Sequence, residues 1–467
     1  MTVTTSPPDR DARPRAGTAA YRRTVIAMVA VAVATFAQLW SVQPVLPAIA
    51  EGFGSSASQA ALAVSVATGG LAGFTLVWSG AADRFGRARV IAVSLALTTL
   101  LGCVTPLAGE LWILLALRVL QGAALGGVPA AAVAYLSEEV HPADAPRATG
   151  LYIAGNPLGG MGGRLLAGFA ADLGGWQWGI AASTLLGLVC LLVFVLVLPR
   201  PWRRAAGAPT AAVTGEHGAR RRQGPAGTVP GMGRRLAAAL TTRGLPALYA
   251  QALLLMGAFM TVYNLLGFRL MGEPFGLSQS AASLLFLSYT AGMVGSALAG
   301  NASVRWGGYP VLAVSTVLMA VGLGGLLSTA LVGLMAALLV LTFAFFCAHA
   351  TASAWVGTRA VTGRAQAMAL YTLAYYLGSS LFGWCGGLVY DAVGWGGALA
   401  FAAGLCAAAA LVGLRLRRLP PRRPEAGPGG PPRPGFLIAA SRVRDVSLRA
   451  VCPATGECGE DTSAGLV

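Results

Sequence analysis

Long apolar segments alternate with short polar connections over most of the 467 residues. A helix needs about 20 apolar residues to cross the hydrocarbon core of a bilayer. Twelve segments reach this length, so the pattern predicts an all-α membrane protein with twelve spans. The predicted spans, numbered 1 to 12 in chain order, are 24–47, 57–79, 90–108, 111–135, 148–171, 178–198, 246–270, 279–300, 309–329, 331–353, 366–389 and 396–414.

Three longer polar segments remain, one at each end of the chain and one in the middle. The middle segment divides the twelve predicted spans six and six. The C-terminal segment is rich in Pro, Gly and Arg, a composition that favours disorder. The predicted organisation is an N-terminal tail 1–23, a six-helix bundle 24–198, an Arg-rich linker 199–245, a six-helix bundle 246–414 and a disordered tail 415–467.

Composition agrees with a membrane protein: 56% of the residues are hydrophobic and 11% are charged. Soluble domains are about 25% charged, so a soluble cytosolic enzyme is excluded. The first apolar run is too long for the hydrophobic region of a signal peptide, and we expect it to remain as a span.

The net charge of +16 comes from 33 basic residues, all of them arginine, and by itself suggests a nucleic-acid partner. The distribution of the arginines excludes that partner. Thirty of the 33 lie in segments on one side if the spans alternate from a cytoplasmic N-terminus. This positive-inside pattern predicts a multi-pass protein of a bacterial-type plasma membrane with both termini in the cytoplasm. Of the other three, Arg269 ends span 7, whereas Arg118 and Arg164 lie inside spans.

Sequence matches relate the two halves at a nearly constant offset. The matched pairs are 151–152 with 370–371 and 172–176 with 391–395, each 219 residues apart, and 84–86 with 305–307, which are 221 apart. The matches predict a parallel repeat of two pseudo-symmetric six-helix bundles.

The connection after span 2 reads Asp83-Arg84-Phe-Gly86-Arg87. It resembles the signature of the major facilitator superfamily, and the resemblance implies the major facilitator fold. In that family this segment is a cytoplasmic latch that holds the halves together in the outward-facing state. The alternative is a plain positive-inside anchor.

Span 4 carries Arg118 and Gln121 in the pattern Arg-x-x-Gln-Gly, which resembles a superfamily motif linked to proton coupling. An arginine inside a span is costly and is expected to be functional. The alternative is a structural arginine held by carbonyl groups of span 1.

Span 5 resembles the superfamily's antiporter signature, associated with drug/proton exporters. The matching residues are Gly155, Asn156, Pro157, Gly159 and Gly160, with Asn156 at a position where the signature has proline. Pro157 weakens the helical hydrogen bonding, so a helix bend is expected. The alternative is that the small residues serve only close helix packing. Segments 135–142, 150–155 and 348–355, among others, resemble the YnfM-type branch of the superfamily.

Other polar side chains within the spans are candidates for a central cavity. They are Gln43, Gln251, Asn264, Tyr289, Tyr375 and Tyr376, with Arg164 and His349 as further coupling or substrate residues. None of the 17 acidic residues lies in the middle of a span. This absence argues for neutral or anionic substrates, or for coupling through Asp83, Glu138, Asp172 or His349.

The sequence contains no nucleotide-binding or metalloprotease motif, and its cysteines lack metal-ligand spacing. We therefore expect no cofactor, no metal and no enzymatic activity. The predicted function is secondary active transport of a small molecule by a monomer in the lipid bilayer, most simply proton-coupled efflux. One alternative is uptake of a small organic acid or sugar. The alternative from another class is a polytopic membrane enzyme or a transporter-like sensor.

Overall fold

A computed structural model of the chain describes residues 13–199 and 232–417, and the regular structure in these ranges is helical. Nine of the described helices are long and apolar enough to cross a membrane, and two of these have double length. These nine helices account for eleven crossings, and the remaining crossing consists of two shorter helices joined at Gly126 and Gly127. Twelve spans result, which confirms the predicted number.

The first half contains spans 1 to 6. Span 1 is Ala19–Trp40 continued by Leu46–Phe53, span 2 is Ala57–Phe85, span 3 is Arg87–Val104, span 4 is Leu111–Leu125 with Val128–Glu139, and spans 5 and 6 share Ala145–Val197.

The second half repeats this order after a short helix, Met232–Thr241. Span 7 is Leu245–Met271, span 8 is Gln279–Ser283 continued through a 3-10 turn by Tyr289–Trp306, span 9 is Gly308–Gly325, span 10 is Leu331–Arg359, and spans 11 and 12 share Arg364–Arg417.

Glycines mark the repeat in the backbone. The double-length helices turn at Gly175 (φ 75°) and Gly394 (φ 72°), which are 219 residues apart. Because a side chain would clash at these positive φ angles, only glycine fits the turn well. The prediction of two pseudo-symmetric six-helix bundles is confirmed.

Two predicted spans are broken by non-helical residues, although the apolar pattern indicates continuous helices. Span 1 is interrupted at residues 41–45 and span 4 at residues 126–127. Pro44 and Pro129 lie at or just after these breaks, and proline removes a backbone donor and disfavours helix in the residue before it. Hydropathy does not detect such breaks, because the residues at 41–45 and 126–127 are buried and the segments around them remain apolar.

Parts of the predicted tails and linker fall on residues 1–12, 200–231 and 418–467, which lie outside the described residues. Next to the two predicted tails, the helices extend beyond the predicted ends. Span 1 begins at Ala19 instead of residue 24, and span 12 continues to Arg417 instead of residue 414. The domain boundaries drawn from the sequence stay a prediction.

The two halves meet along two pairs of spans, 5 with 8 and 11 with 2, which we call the paired seams. In the first seam Asp172 accepts a hydrogen bond from the Ser280 backbone N–H at 2.9 Å. In the second, Asp391 accepts one from the Ser58 N–H at 3.2 Å. These carboxylates lie at the arginine-poor end of the bundle, so the halves are joined at that end.

The second seam opens toward the arginine-rich end. A Cβ added to Gly69 of span 2 would lie 3.1 Å from Ser380 Oγ of span 11. Gly73 and Gly80 continue the same helix face, and a Cβ added there would meet no atom within 4 Å. Leu76, also on this face, is 71% exposed. The described conformation is therefore closed at the arginine-poor end and open at the other.

Candidate functional site

The break in span 1 is held by Arg118 of span 4, which is fully buried. Its Nε donates to the Ala63 carbonyl of span 2 at 3.1 Å, and its Nη2 donates to the Leu39 carbonyl at 2.6 Å. Nη1 donates to the Gln38 carbonyl at 3.2 Å and to Gln121 Oε1. The last carbonyls of a helix lack partners within it, so the guanidinium satisfies groups that the break would expose to hydrocarbon.

This geometry matches the structural alternative for Arg118, an arginine held by carbonyls of span 1. Gln121 completes the arrangement, because its Nε2 donates to the Thr98 carbonyl of span 3 at 3.3 Å. Arg118 and Gln121 thus connect spans 1, 2, 3 and 4. Their part in coupling stays a prediction.

The second buried arginine, Arg164 of span 5, lies where the two halves meet and is 1% exposed. Its Nε donates to Gln43 Oε1 at 2.7 Å, its Nη1 to the Gly160 carbonyl at 2.8 Å and its Nη2 to Tyr289 Oη of span 8 at 3.2 Å. Tyr289 belongs to the second half, so Arg164 connects both halves.

Gln43 makes a second connection between the halves. Its Nε2 donates to Asn264 Oδ1 of span 7 at 2.7 Å. Gln43 and Asn264 are 221 residues apart, the offset that also relates 84–86 to 305–307, so two equivalent positions bind each other across the pseudo-twofold relation. We call Gln43, Arg164, Asn264 and Tyr289 the junction cluster. The structure brings these four candidates together although they come from four spans.

Aromatic rings enclose the guanidinium of Arg164. Its Cζ lies 4.9 Å from the centroid of Trp40, 5.1 Å from that of Phe286 and 4.7 Å from that of Tyr289. Trp40 and Phe286 were not among the sequence candidates. An apolar ring in an apolar span carries no signal in the sequence, so only the packing identifies these neighbours.

His349 of span 10 lies in the second half beside a narrow cavity. Its Nδ1 is 3.0 Å from Tyr371 Oη, and its ring centroid is 4.7 Å from that of Tyr375. Gln251 also lines this cavity and donates to the Ala409 carbonyl of span 12. Tyr376 is buried and packs edge-on against Tyr375 without lining the cavity.

The predicted latch residues lie at the arginine-rich end. Arg87 binds Asp83 at 3.3 Å and Glu138 at 2.8 Å, and all three belong to the first half. The Arg84 guanidinium lies 5.4 Å from the ring centroid of Phe85. Gly86 has φ 91° and joins spans 2 and 3. The ion pairs given for Arg87 within the described ranges thus stay inside the first half, as expected for a bundle that is open at this end.

We expect Asp83→Asn to leave stability nearly unchanged but to reduce transport. The side chain of Asp83 is 65% exposed and its pair with Arg87 is of the i,i+4 type, which contributes less than about 0.5 kcal/mol. Transport should fall because the substitution weakens a latch that forms only in the opposite conformation. The melting temperature and the rate of substrate flux test the two effects separately. Glu110→Gln, at an exposed acid of the other end, is the control, and an unchanged flux in Asp83→Asn would contradict the latch.

The glycine motif of span 5 packs against span 1. A Cβ added to Gly159 would lie 2.5 Å from the Val33 Cα, and one added to Gly155 would lie 2.8 Å from the Ala32 Cβ. The backbone angles stay helical through Pro157, and Asn156 Oδ1 is buried without a partner. This geometry supports the packing alternative, whereas the predicted bend stays a prediction.

Among the described residues, no group of three or more His, Cys, Asp or Glu side chains is arranged to hold a metal ion. The two cross-half carboxylates, Asp172 and Asp391, were recognised in the sequence as parts of the repeat. Their shared role in the paired seams appears only in the fold.

Comparisons of the chain with a family model and with the sequences of known proteins indicate the same family. The model of the Major Facilitator Superfamily matches residues 28–269 and 247–452. The chain is 36% identical to the inner membrane transport protein YnfM of Escherichia coli (strain K12) over 404 residues, which are 86% of this chain and 92% of that protein. It is 31% identical to the uncharacterized MFS-type transporter YybF of Bacillus subtilis (strain 168), over 82% of this chain and 90% of that protein.

The fold resembles that of the nucleoside transporter NupG, with a TM-score of 0.68 at 14% identity over 84% of this chain and 99% of that one. The family match covers most of both halves, and the identity to YnfM extends over nearly the whole length of that protein. The chain therefore belongs to the major facilitator superfamily, in its YnfM-type branch, and is a membrane transporter rather than an enzyme.

Proposed function

We propose that the chain exports a small molecule in exchange for protons by alternating access. It acts as a monomer in a bacterial-type plasma membrane, with both termini in the cytoplasm. The two bundles rock about the junction cluster, so that the substrate site opens alternately to each side.

The junction cluster is the observation that carries this proposal. Arg164 binds Gln43 of its own half and Tyr289 of the other, at 2.7 and 3.2 Å, in a site that both halves complete. The seams close only one end of the bundle. A transporter must break such contacts at one end and form others at the opposite end, where Asp83 and Arg87 lie.

Two observations support export as the direction of transport. The glycine motif of span 5 resembles the signature of drug/proton exporters, and the arginine distribution supports a cytoplasmic location for the open end of this conformation. An exporter loads its substrate from that side. Uptake of a small organic acid or sugar is the competing function, since alternating access works in both directions.

Inside-out membrane vesicles with an acidic interior test export and proton coupling together. Three probes share a naphthalene ring and differ in charge: 2-naphthoate, 2-naphthylmethanol and 2-naphthylmethylammonium. We expect at least one probe to accumulate above its level in vesicles without the protein, and nigericin to abolish that accumulation. Accumulation that survives nigericin would contradict proton coupling. Accumulation only in right-side-out vesicles would favour uptake.

A further inference from the structure

Arg164 is a buried cation without a buried anion. Its hydrogen-bond partners are an amide oxygen, a backbone carbonyl and a phenol, all neutral. Within residues 13–199 and 232–417, Arg164 forms no ion pair with a carboxylate. A buried charge that only dipoles solvate is costly, and an anion arriving beside it recovers part of that cost.

A second donor lies beside the guanidinium without an acceptor. Asn264 is fully buried, and its Nδ2 has no hydrogen-bond partner, although its Oδ1 binds Gln43. The repeat explains why this N–H donor has no acceptor, because the position equivalent to Arg164 at the offset of 219 is Gly383. A Cβ added to Gly383 would lie 2.9 Å from Asn264 Nδ2. The first half thus supplies a cation, whereas the second half has a glycine at the equivalent position and supplies an unused N–H donor.

The aromatic surroundings argue against a cationic ligand at this place. Aromatic faces attract cations, but the faces of Trp40, Phe286 and Tyr289 already meet the Arg164 guanidinium within 5.1 Å. A second cation would be repelled by Arg164. The planar guanidinium is instead suited to bind a carboxylate through two parallel hydrogen bonds.

A continuous series of rings leads from the arginine to the cavity of the second half. Tyr289 packs edge-on against Phe259 at 5.9 Å, and Phe259 stacks on Phe345 at 4.0 Å between centroids. Phe345 lines the cavity together with His349 and Tyr375. These rings, which we call the aromatic wall, favour a ligand that carries an aromatic ring next to its charged group.

We infer that Arg164 and Asn264 bind the anionic group of an aromatic organic anion, whose ring packs on the aromatic wall of the second half. The inference rests on the proposed function, since it names the substrate class of the same site. The anion replaces Gln43 Oε1 and Tyr289 Oη as acceptors of the guanidinium and gives Asn264 Nδ2 the acceptor it lacks.

Equilibrium dialysis of the three naphthalene probes against the purified full-length chain in lipid nanodiscs tests the inference without any pH gradient. At pH 7 the carboxyl group of 2-naphthoate is ionised, because such groups have pKa values of about 4. We expect wild-type protein to bind 2-naphthoate at least about tenfold more tightly than 2-naphthylmethanol, and the ammonium probe most weakly. Arg164→Gln should lose this preference, so that its affinities for 2-naphthoate and 2-naphthylmethanol become similar.

Two further variants distinguish a specific effect on anion binding from a general loss of structure. Asn264→Ala should lower the affinity for 2-naphthoate by roughly threefold to tenfold, as expected for one lost hydrogen bond. Arg305→Gln, at an exposed arginine of span 8, should change neither affinity. If Arg164→Gln does not fold, the charge preference of wild-type protein and the effect of Asn264→Ala still test the inference.

Several results would overturn the inference: equal affinity for the anionic and the neutral probe, tighter binding of the cation, or no binding of 2-naphthoate at about 1 mM. A folded Arg164→Gln that keeps the preference would also overturn it. Because dialysis requires no transport, anion binding without accumulation in vesicles would refute only the proposed exchange. Accumulation of a neutral or cationic probe without anion preference would refute only the inferred substrate class.

Discussion

Arg118→Ala is expected to abolish transport while the chain still inserts in the membrane. The guanidinium donates to backbone carbonyls of Gln38, Leu39 and Ala63, which belong to two spans. Removing it leaves buried acceptors unsatisfied at about 1–3 kcal/mol each, and no water is available in hydrocarbon to replace it. Gln43 lies within the break in span 1, so a loosened break also displaces a partner of Arg164. We expect flux to fall at least about a hundredfold, equivalent to roughly 3 kcal/mol.

Three measurements test this prediction: the amount of protein in the membrane fraction, the melting temperature of the purified protein, and the flux. Arg118→Lys should also fail, because an ammonium is a compact donor that cannot span the carbonyls of two helices. Arg305→Ala removes an exposed arginine and serves as the control. Full flux in Arg118→Ala would show that other contacts hold span 1.

Gly168→Ala is expected to shift the protein toward the conformation that is open at the arginine-poor end. An added Cβ at Gly168 would lie 1.6 Å from Ser283 Oγ and 2.3 Å from Ser283 Cβ, so the first seam can close only by distortion. Overpacking of this kind costs about 1–3 kcal/mol. Because the cost falls on only one conformation, the equilibrium between the two moves by roughly 5- to 150-fold.

A cysteine in the second seam reports the shift. Ser65 is 2% exposed and its hydroxyl has no hydrogen-bond partner, so Ser65→Cys is a mild change. It is placed in a chain without the seven native cysteines. We expect Gly168→Ala to accelerate its reaction with an impermeant maleimide applied to whole cells.

Two variants make the seam experiment specific. Gly162→Ala lies on the same span, where an added Cβ meets nothing within 4 Å, and it should leave the reaction rate unchanged. Adding Ser283→Gly to Gly168→Ala removes both clashing atoms and should restore the wild-type rate. If Gly168→Ala reacts like wild-type protein, the contact between spans 5 and 8 does not control access.

The breaks in spans 1 and 4 mark where interpretation of the sequence alone reaches its limit. Segments 24–47 and 111–135 are as apolar as continuous spans, and hydropathy responds only to composition. The interruptions at 41–45 and 126–127 are possible because neighbouring side chains satisfy the freed backbone groups. Trp78 Nε1, for example, donates to the Ala123 carbonyl at 2.8 Å. Such compensation depends on contacts between residues that are distant in the chain.

For the candidate residues, too, the sequence indicated which residues matter but not how they are arranged. Gln43, Asn264 and Tyr289 stood out in the sequence because polar groups are rare within spans, yet nothing in the sequence placed them together. Arg118 and Arg164 looked alike, as two embedded arginines. Only the fold separates them, since carbonyls of the first half hold Arg118 whereas both halves contact Arg164.

The sequence by itself determined the membrane class, the number of spans, the repeat and the family, because each of these depends on composition, period or local motif. The tertiary structure decided which end of the bundle is closed, which arginine lies at the junction and which rings surround it. These features depend on how equivalent helices of two halves meet. Asp172 and Asp391 illustrate the difference: the repeat relates them in sequence, but each gains its partner only in the other half.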